Sequence, residues 1–188
     1  EPANRAIFEL NRGLDTAFLK PVATFYRDVI PQFFQDRIND ALDNLRAPVI
    51  FLNDILQGEL DRALATAARF MVNSTIGILG VIDIATEMGL EGHDEDFGQT
   101  LATWGVDSGP YLMLPLLGPS TPRYFTGMAA DGFMLPSAWD SVENPEWYYL
   151  RMLQIVDKRA DLIPAENFIS GDRYTFMRNA FLQRREFL

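Results

Sequence analysis

A single histidine stands directly ahead of three carboxylates, His93, Asp94, Glu95 and Asp96. An imidazole beside carboxylates can ligate a divalent cation or exchange protons as a general acid or base. Four adjacent residues on one loop cannot all face one ion, and the Gly-spaced carboxylate ladder with a distal Glu that a calcium loop needs is missing. The run therefore reads as a solvated acidic turn. A metal-dependent hydrolase centred on residues 93–96 is carried as a separate reading, which predicts a bound cation and loss of activity in Asp94→Ala. Composition removes most other chemistry. There is no Cys and no second His, which excludes thiolate zinc sites, cysteine nucleophiles and multi-histidine metal sites. No Gly-x-Ser-x-Gly elbow offers a serine to His93, and no Gly-rich phosphate loop carries a Lys. Accordingly no catalytic residue, no metal and no cofactor is assigned.

Charge is spread unevenly along the chain. Residues 70–122 contain no Lys or Arg, against Asp83, Glu87, Glu91, Asp94, Glu95, Asp96 and Asp107, while the flanks nearly balance. Most of the net charge of −10 thus sits in the middle third, as a solvated acidic loop or as a surface facing a partner. No basic surface is left for nucleic-acid phosphates, so no nucleic acid is expected as partner. A spanning helix needs roughly 20 apolar residues, and the longest stretch without a charge, residues 108–122, is 15 long and broken by Gly109, Pro110, Pro115, Gly118, Pro119 and Pro122. At 188 residues and 48% hydrophobic, the chain fits one domain over residues 1–188. It opens at Glu1 with neither Met nor a signal peptide, which reads as a mature or trimmed product.

The elements that must position these groups are helices, since apolar residues recur at three and four almost throughout. Ala6, Ile7, Leu10, Leu14, Ala17 and Phe18 predict a first helix over residues 3–19, ended by Pro21. Pro31 opens the next, with Phe33, Phe34, Ile38, Ala41, Leu42 and Leu45 on one face, until Pro48 interrupts it and makes a helical hairpin. Helices over 49–57, stopped by Gly58, and over 60–72 follow. The uncharged run 70–82 reads as a buried strand-like segment or a broken helix. Further helices are expected over 98–106, over 121–134, from the Asn144-Pro145 start to 162, and over 172–187. Trp104, Trp139 and Trp147 near turns, with 14 Phe, suit a protein lying in a membrane interface.

Ordered blocks along the chain carry a resemblance. Asn4-Arg5, Leu19-Lys20-Pro21-Val22-Ala23, Asn44-Leu45-Arg46-Ala47-Pro48, Asn53-Asp54-Ile55-Leu56-Gln57-Gly58 and Asn73-Ser74-Thr75-Ile76-Gly77 come first. Glu95-Asp96-Phe97-Gly98-Gln99-Thr100-Leu101, Trp104-Gly105-Val106, Gly109-Pro110-Tyr111-Leu112-Met113-Leu114-Pro115-Leu116-Leu117-Gly118-Pro119-Ser120 and Phe181-Leu182-Gln183-Arg184-Arg185 follow. The sequence resembles the MlaA (VacJ) family of outer-membrane lipoproteins from Asn4 to Arg185. Thr103, Asp107 and Ser108 stand where that family tends to carry glycines.

The resemblance implies an all-α, ring-like arrangement of amphipathic helices embedded in the periplasmic leaflet of a Gram-negative outer membrane, with a central channel. Such a protein sits beside a trimeric outer-membrane porin, takes mislocalised phospholipid from the outer leaflet and passes it to a soluble periplasmic lipid carrier, with no bond made or broken. The family's lipidated N-terminal Cys is absent from this chain. A porin-associated lipoprotein that moves no lipid is the alternative. A headgroup needs a polar path and its tails an apolar one. Within the matching blocks Asn44, Asn53, Asn73, Ser74 and Thr75 are path candidates, with Leu10, Leu14, Phe51 and Leu79 on the tail side. Pro110, Tyr111, Leu112, Met113, Leu114, Pro115, Leu116 and Leu117 are the candidate porin contact. Arg178, Arg184 and Arg185 on the last helix are the candidate carrier dock.

Overall fold

The computed structural model describes residues 1–133, 146–169 and 171–187. Pro2 opens α1 (Pro2–Leu14) in the first turn, where a missing N–H costs nothing. The chain does not stop at Pro21, contrary to expectation. It passes through one π-helical turn, Asp15–Leu19, in which the Lys20 N–H reaches the Asp15 carbonyl, and continues as α2 (Lys20–Val29). The wider turn shifts the carbonyl that the proline ring would strike, so the interruption is absorbed as a bulge. Pro48 is passed in the same spirit: α3 (Gln32–Gln57) runs unbroken through it. An interior proline costs about 3 kcal/mol, offset here by burial of Leu42, Asn44, Ala47, Ile50 and Asn53 on the same helix. The expected hairpin around Pro48 therefore forms later, at Gly58. Its φ of 82° is the left-handed conformation that glycine adopts freely, and α4 (Leu60–Thr75) packs back along α3.

After α4 the backbone turns through residues 76–82, with the Leu79 N–H on the Ser74 carbonyl and the Gly80 N–H on that of Asn73. The run is thus a broken helix, and it is not buried, because Ile76, Ile78 and Leu79 project outward. Asp83 and Asp96 cap α5 (Ile84–Glu87) and α6 (Phe97–Thr103) by accepting from the Thr86 and Gln99 N–H groups. Among the described residues, the departure from helix is a short antiparallel hairpin of β1 (Leu112–Leu114) and β2 (Gly118–Ser120), Leu112 lying opposite Ser120 and Leu114 opposite Gly118. Two asparagines of α1, two turns apart, satisfy its free backbone groups. Asn4 donates to the Tyr111 carbonyl at 3.0 Å and accepts from the Met113 N–H at 3.1 Å, and Asn11 does the same for the Leu114 carbonyl and the Leu116 N–H at 2.8 and 2.9 Å. A helix thereby covers an edge that would otherwise invite another strand.

Helices α7 (Pro122–Phe133), α8 (Glu146–Leu162) and α9 (Arg173–Phe187), with a 3-10 turn at Pro164–Phe168, complete the chain close to the expected bounds. Trp139 and the Asn144-Pro145 start lie outside the described residues, as does the side chain of Trp147. The apolar core is small and divided. Phe8, Met113 and Tyr174 form one cluster, the Phe8 and Tyr174 rings meeting edge to face at 5.7 Å, and Ala23, Tyr26 and Ala160 join α2 to α8 in a second. Among the described residues no helix is long and apolar enough to cross a membrane.

Candidate functional site

Between α3, α4, α6 and α7 the interior is polar. Asp54, fully buried on α3, accepts from Thr66 Oγ1 of α4 and meets His93 Nε2, both at 2.8 Å. Buried Glu95 accepts from Gln57 Nε2 at 2.9 Å and Arg62 Nη1 at 3.0 Å. Burial still pushes the Glu95 carboxyl above the usual range, against those partners. Asn53 accepts from Thr100 Oγ1 at 2.8 Å and donates to Asp131 at 3.0 Å, whose other oxygen takes the Phe97 N–H at 2.9 Å. Burial raises the Asp131 carboxyl too. Every member is hydrogen-bonded, the condition under which a buried polar network holds elements in one arrangement.

The acidic run at residues 93–96 is therefore not a simple solvated turn. His93 and Glu95 face the interior, Asp94 stays exposed beside Arg46 at 3.0 Å, and Asp96 caps α6 and pairs with Arg185 at 2.7 Å. The partner of His93, Asp54, lies 39 positions upstream and is not singled out by the local run. A signal was present, since Ile50, Asn53, Asp54 and Gln57 recur at three and four on one helical face, and a face that mixes Ile with Asn and Asp is a buried polar one.

A polar cavity of about 410 Å³ opens beside this network between α3 and α4, lined by Asp40, Asp43, Asn44, Arg69, Asn73 and Asp83 among others. The structure brings three path candidates together here: Asn44 donates to Ser74 Oγ at 3.0 Å, and Asn73 donates to Asp83 at 2.9 Å while accepting from the Ala85 N–H at 2.9 Å. Asn53 lies in the network instead, and Thr75 bonds the Met71 carbonyl of its own helix at 2.6 Å. Burial opposes ionisation of Asp83, but hydrogen bonds from Thr86, Asn73 and Arg69 outweigh it and hold the carboxyl at about 2. A depressed folded value adds stability above the ordinary carboxylate range that is lost as pH falls towards 2. Asp83→Ala is expected to cost about 1–2 kcal/mol at pH 7, and the deficit should shrink between pH 4 and 2 in urea titrations.

A second cavity, of about 490 Å³, is apolar. Phe8, Met113, Pro119, Leu162, Phe176 and Met177 from α1, the hairpin, α8 and α9 line it, with Arg12, Arg159 and Arg173 around it. The tail-side candidates lie elsewhere: Leu10 and Leu79 are exposed, Leu14 and Phe51 half-buried. Of the porin-contact candidates, Met113 is core, Tyr111, Leu112 and Leu114 are half-buried, and Pro110, Pro115, Leu116 and Leu117 are exposed. Burial pushes the Tyr111 phenol up to about 12. On α9, Arg178 stacks 6.0 Å over Tyr111 and Arg185 3.8 Å over Tyr124, while Arg184 extends into solvent 4.0 Å from Asp94.

The outer surface is the reverse of the interior. Phe18, Phe25, Phe33 and Phe34 around α2, Leu60, Leu64 and Met71 on α4, and Tyr149, Met152 and Ile155 on α8 are all exposed. Ile78 and Leu79 (φ 54° and 58°) and Leu116 (φ 65°) are in the left-handed region that side chains avoid. Leu79 and Leu116 are 78% and 80% exposed. Strained backbone here serves to point apolar side chains outward.

Comparison with known proteins places these features. The chain matches the MlaA lipoprotein family over residues 1–188. It is 32% identical to the intermembrane phospholipid transport system lipoprotein MlaA of Escherichia coli over 100% of this chain and 76% of that one, and 30% identical to an uncharacterized protein of Rickettsia prowazekii over 99% and 75%. A solved structure described as the structural basis for maintenance of bacterial outer membrane lipid asymmetry superposes with a TM-score of 0.86 at 31% identity, over 98% of this chain and 94% of the other. Agreement along the whole chain in both sequence and fold means that this chain belongs to the MlaA lipoprotein family.

Proposed function

We propose that this protein maintains outer-membrane lipid asymmetry by removing mislocalised phospholipid from the outer leaflet and passing it to a soluble periplasmic carrier. It would do so as a ring of helices lying in the periplasmic leaflet beside a trimeric porin. The observation that carries the reading is the inverted distribution of polarity. Asn, Asp, Glu and Thr are buried among α3, α4, α6 and α7, while many Phe, Leu, Ile and Met side chains stand exposed beside the charged ones, an arrangement favoured when part of the surroundings is hydrocarbon. Helices none of which, among the described residues, is apolar enough to span suit one leaflet. The apolar cavity offers room for acyl chains. The polar cavity at Asn44, Asn73 and Ser74 offers hydrogen bonds to a headgroup. Leu116 and Leu117 at the hairpin tip would meet the porin, and exposed Arg184 with half-exposed Arg178 would meet the carrier.

The test is outer-leaflet phospholipid in cells, read by accessibility to an outer-membrane acylating enzyme or a phospholipase. Deletion of the gene should raise it and the intact gene should restore it. The double variant Ile78→Asp with Leu79→Asp should fail to restore it and leave the membrane fraction, because each carboxylate costs about 2–3 kcal/mol at bilayer depth. Asp accepts the left-handed backbone more readily than Ile or Leu, so folding is not the reason. Unchanged outer-leaflet phospholipid, in cells without a redundant homologue, would favour a porin-bound structural protein.

A further inference from the structure

We infer that Asp54, His93 and Glu95 form a binding site for one divalent transition-metal cation of the zinc class, which pins the connector between α5 and α6 onto α3. One ligand atom from each residue lies within 4.8 Å of the other two. Two carboxylate oxygens and an imidazole nitrogen form a borderline-cation donor set, and three protein ligands leave a position for water. A tetrahedral shell with bonds near 2.0–2.1 Å sets its donors roughly 3.4 Å apart, so against the 4.8 Å limit the widest gap closes by at most about 1.4 Å, within the reach of side-chain torsions. Asp94 and Asp96, exposed and engaged in capping respectively, take no part.

Electrostatics favours the ion. Asp54 is fully buried and Glu95 nearly so, and among the described residues the permanent cation paired with them is Arg62, whose side chain is 55% exposed and screened by water. Buried carboxylates without full compensation are costly, and a dication between them neutralises both. On binding, His93 offers Nε2 to the ion with its imidazole proton carried on Nδ1, and Arg62 gives way towards water. The outer shell is already built: Thr66 Oγ1 holds one Asp54 oxygen and Gln57 Nε2 one Glu95 oxygen, which orients the ligands.

The full protein, purified in detergent without a polyhistidine tag and stripped with a chelator, should bind one equivalent of zinc chloride per chain by titration calorimetry and elemental analysis. His93→Ala and Glu95→Gln, checked for retained helicity, should each weaken binding at least about tenfold, while Asp94→Ala should leave it unchanged. Absence of saturable 1:1 binding, or binding that survives in both ligand variants, overturns the site. The unmodified protein gives a second readout: bound Co²⁺ should show the visible absorption of a four-coordinate centre, and a spectrum identical to cobalt in buffer overturns the proposal.

Discussion

Gly127→Ala should lower stability by about 3 kcal/mol, read as a fall of roughly 10 °C in the unfolding midpoint. A Cβ on Gly127 falls 2.2 Å from the Gly98 nitrogen, 2.6 Å from its Cα and 2.9 Å from the Phe97 carbonyl carbon. All three are backbone atoms of α6, with no rotamer to turn away. Gly98 is constrained in return, its own Cβ meeting the Tyr124 Cα at 3.3 Å, so α6 and α7 cross glycine on glycine. A methyl group drives them apart at the point where Asp131, one turn along α7, holds Asn53 and the Phe97 N–H. The damage therefore passes into the polar interior as unsatisfied buried groups, each adding about 1–3 kcal/mol if fully exposed as a deficit. Gly132→Ala on the same helix is the control. Nothing lies within 4 Å of its Cβ, and alanine there should stabilise by about 0.5–1 kcal/mol. Equal midpoints for the two variants would mean that the helices do not cross so closely.

The helical class and most helix bounds were legible because amphipathic spacing and end signals such as Gly58 are local. Prolines misled for an equally physical reason. A proline states what its own residue cannot do, but whether the helix stops depends on what the neighbours bury, and the π turn before Lys20 and the buried face around Pro48 both outweighed it. The hairpin escaped notice because three-residue strands between prolines carry no alternation, and its stabilisation comes from Asn4 and Asn11, more than a hundred positions away. The path candidates divide between two places. Asn44, Asn73 and Ser74 do converge, but what surrounds them comes from Arg69, Asp83 and Thr86, which pair across a turn. Asp54 and His93 meet only in three dimensions, so residues 93–96 alone hold the histidine and Glu95 but leave out Asp54.

Arg159→Met tests the wall of the apolar cavity and should cost about 3 kcal/mol at pH 7. Arg159 donates to both oxygens of Asp15 at 2.7 and 2.8 Å and also bonds Glu166, whose second oxygen takes Lys20 at 2.5 Å. Its side chain is only 12% exposed, and the Asp15 hydrogen bond, with Glu166 behind it, holds the guanidinium proton more firmly than usual. Methionine preserves much of the stem volume, so the loss isolates Asp15 left without its cation and Glu166 left with Lys20 alone. Burial opposes ionisation of Glu166, but Lys20 and Arg159 outweigh it and hold its carboxyl below the ordinary value. A depressed carboxylate contributes above its unfolded value and loses that contribution as pH falls through the folded one. The gap between the protein and Arg159→Met should therefore narrow from pH 7 to pH 4 and below, in denaturation midpoints measured side by side; a constant gap would assign the effect to packing alone. Because Asp15 lies in the π turn and Glu166 in the 3-10 turn, the same arginine fixes the α1–α2 bend against the end of α8. Losing it loosens one side of the cavity proposed to hold acyl chains, and on that proposal outer-leaflet phospholipid should rise in cells carrying Arg159→Met even where the protein still reaches the membrane.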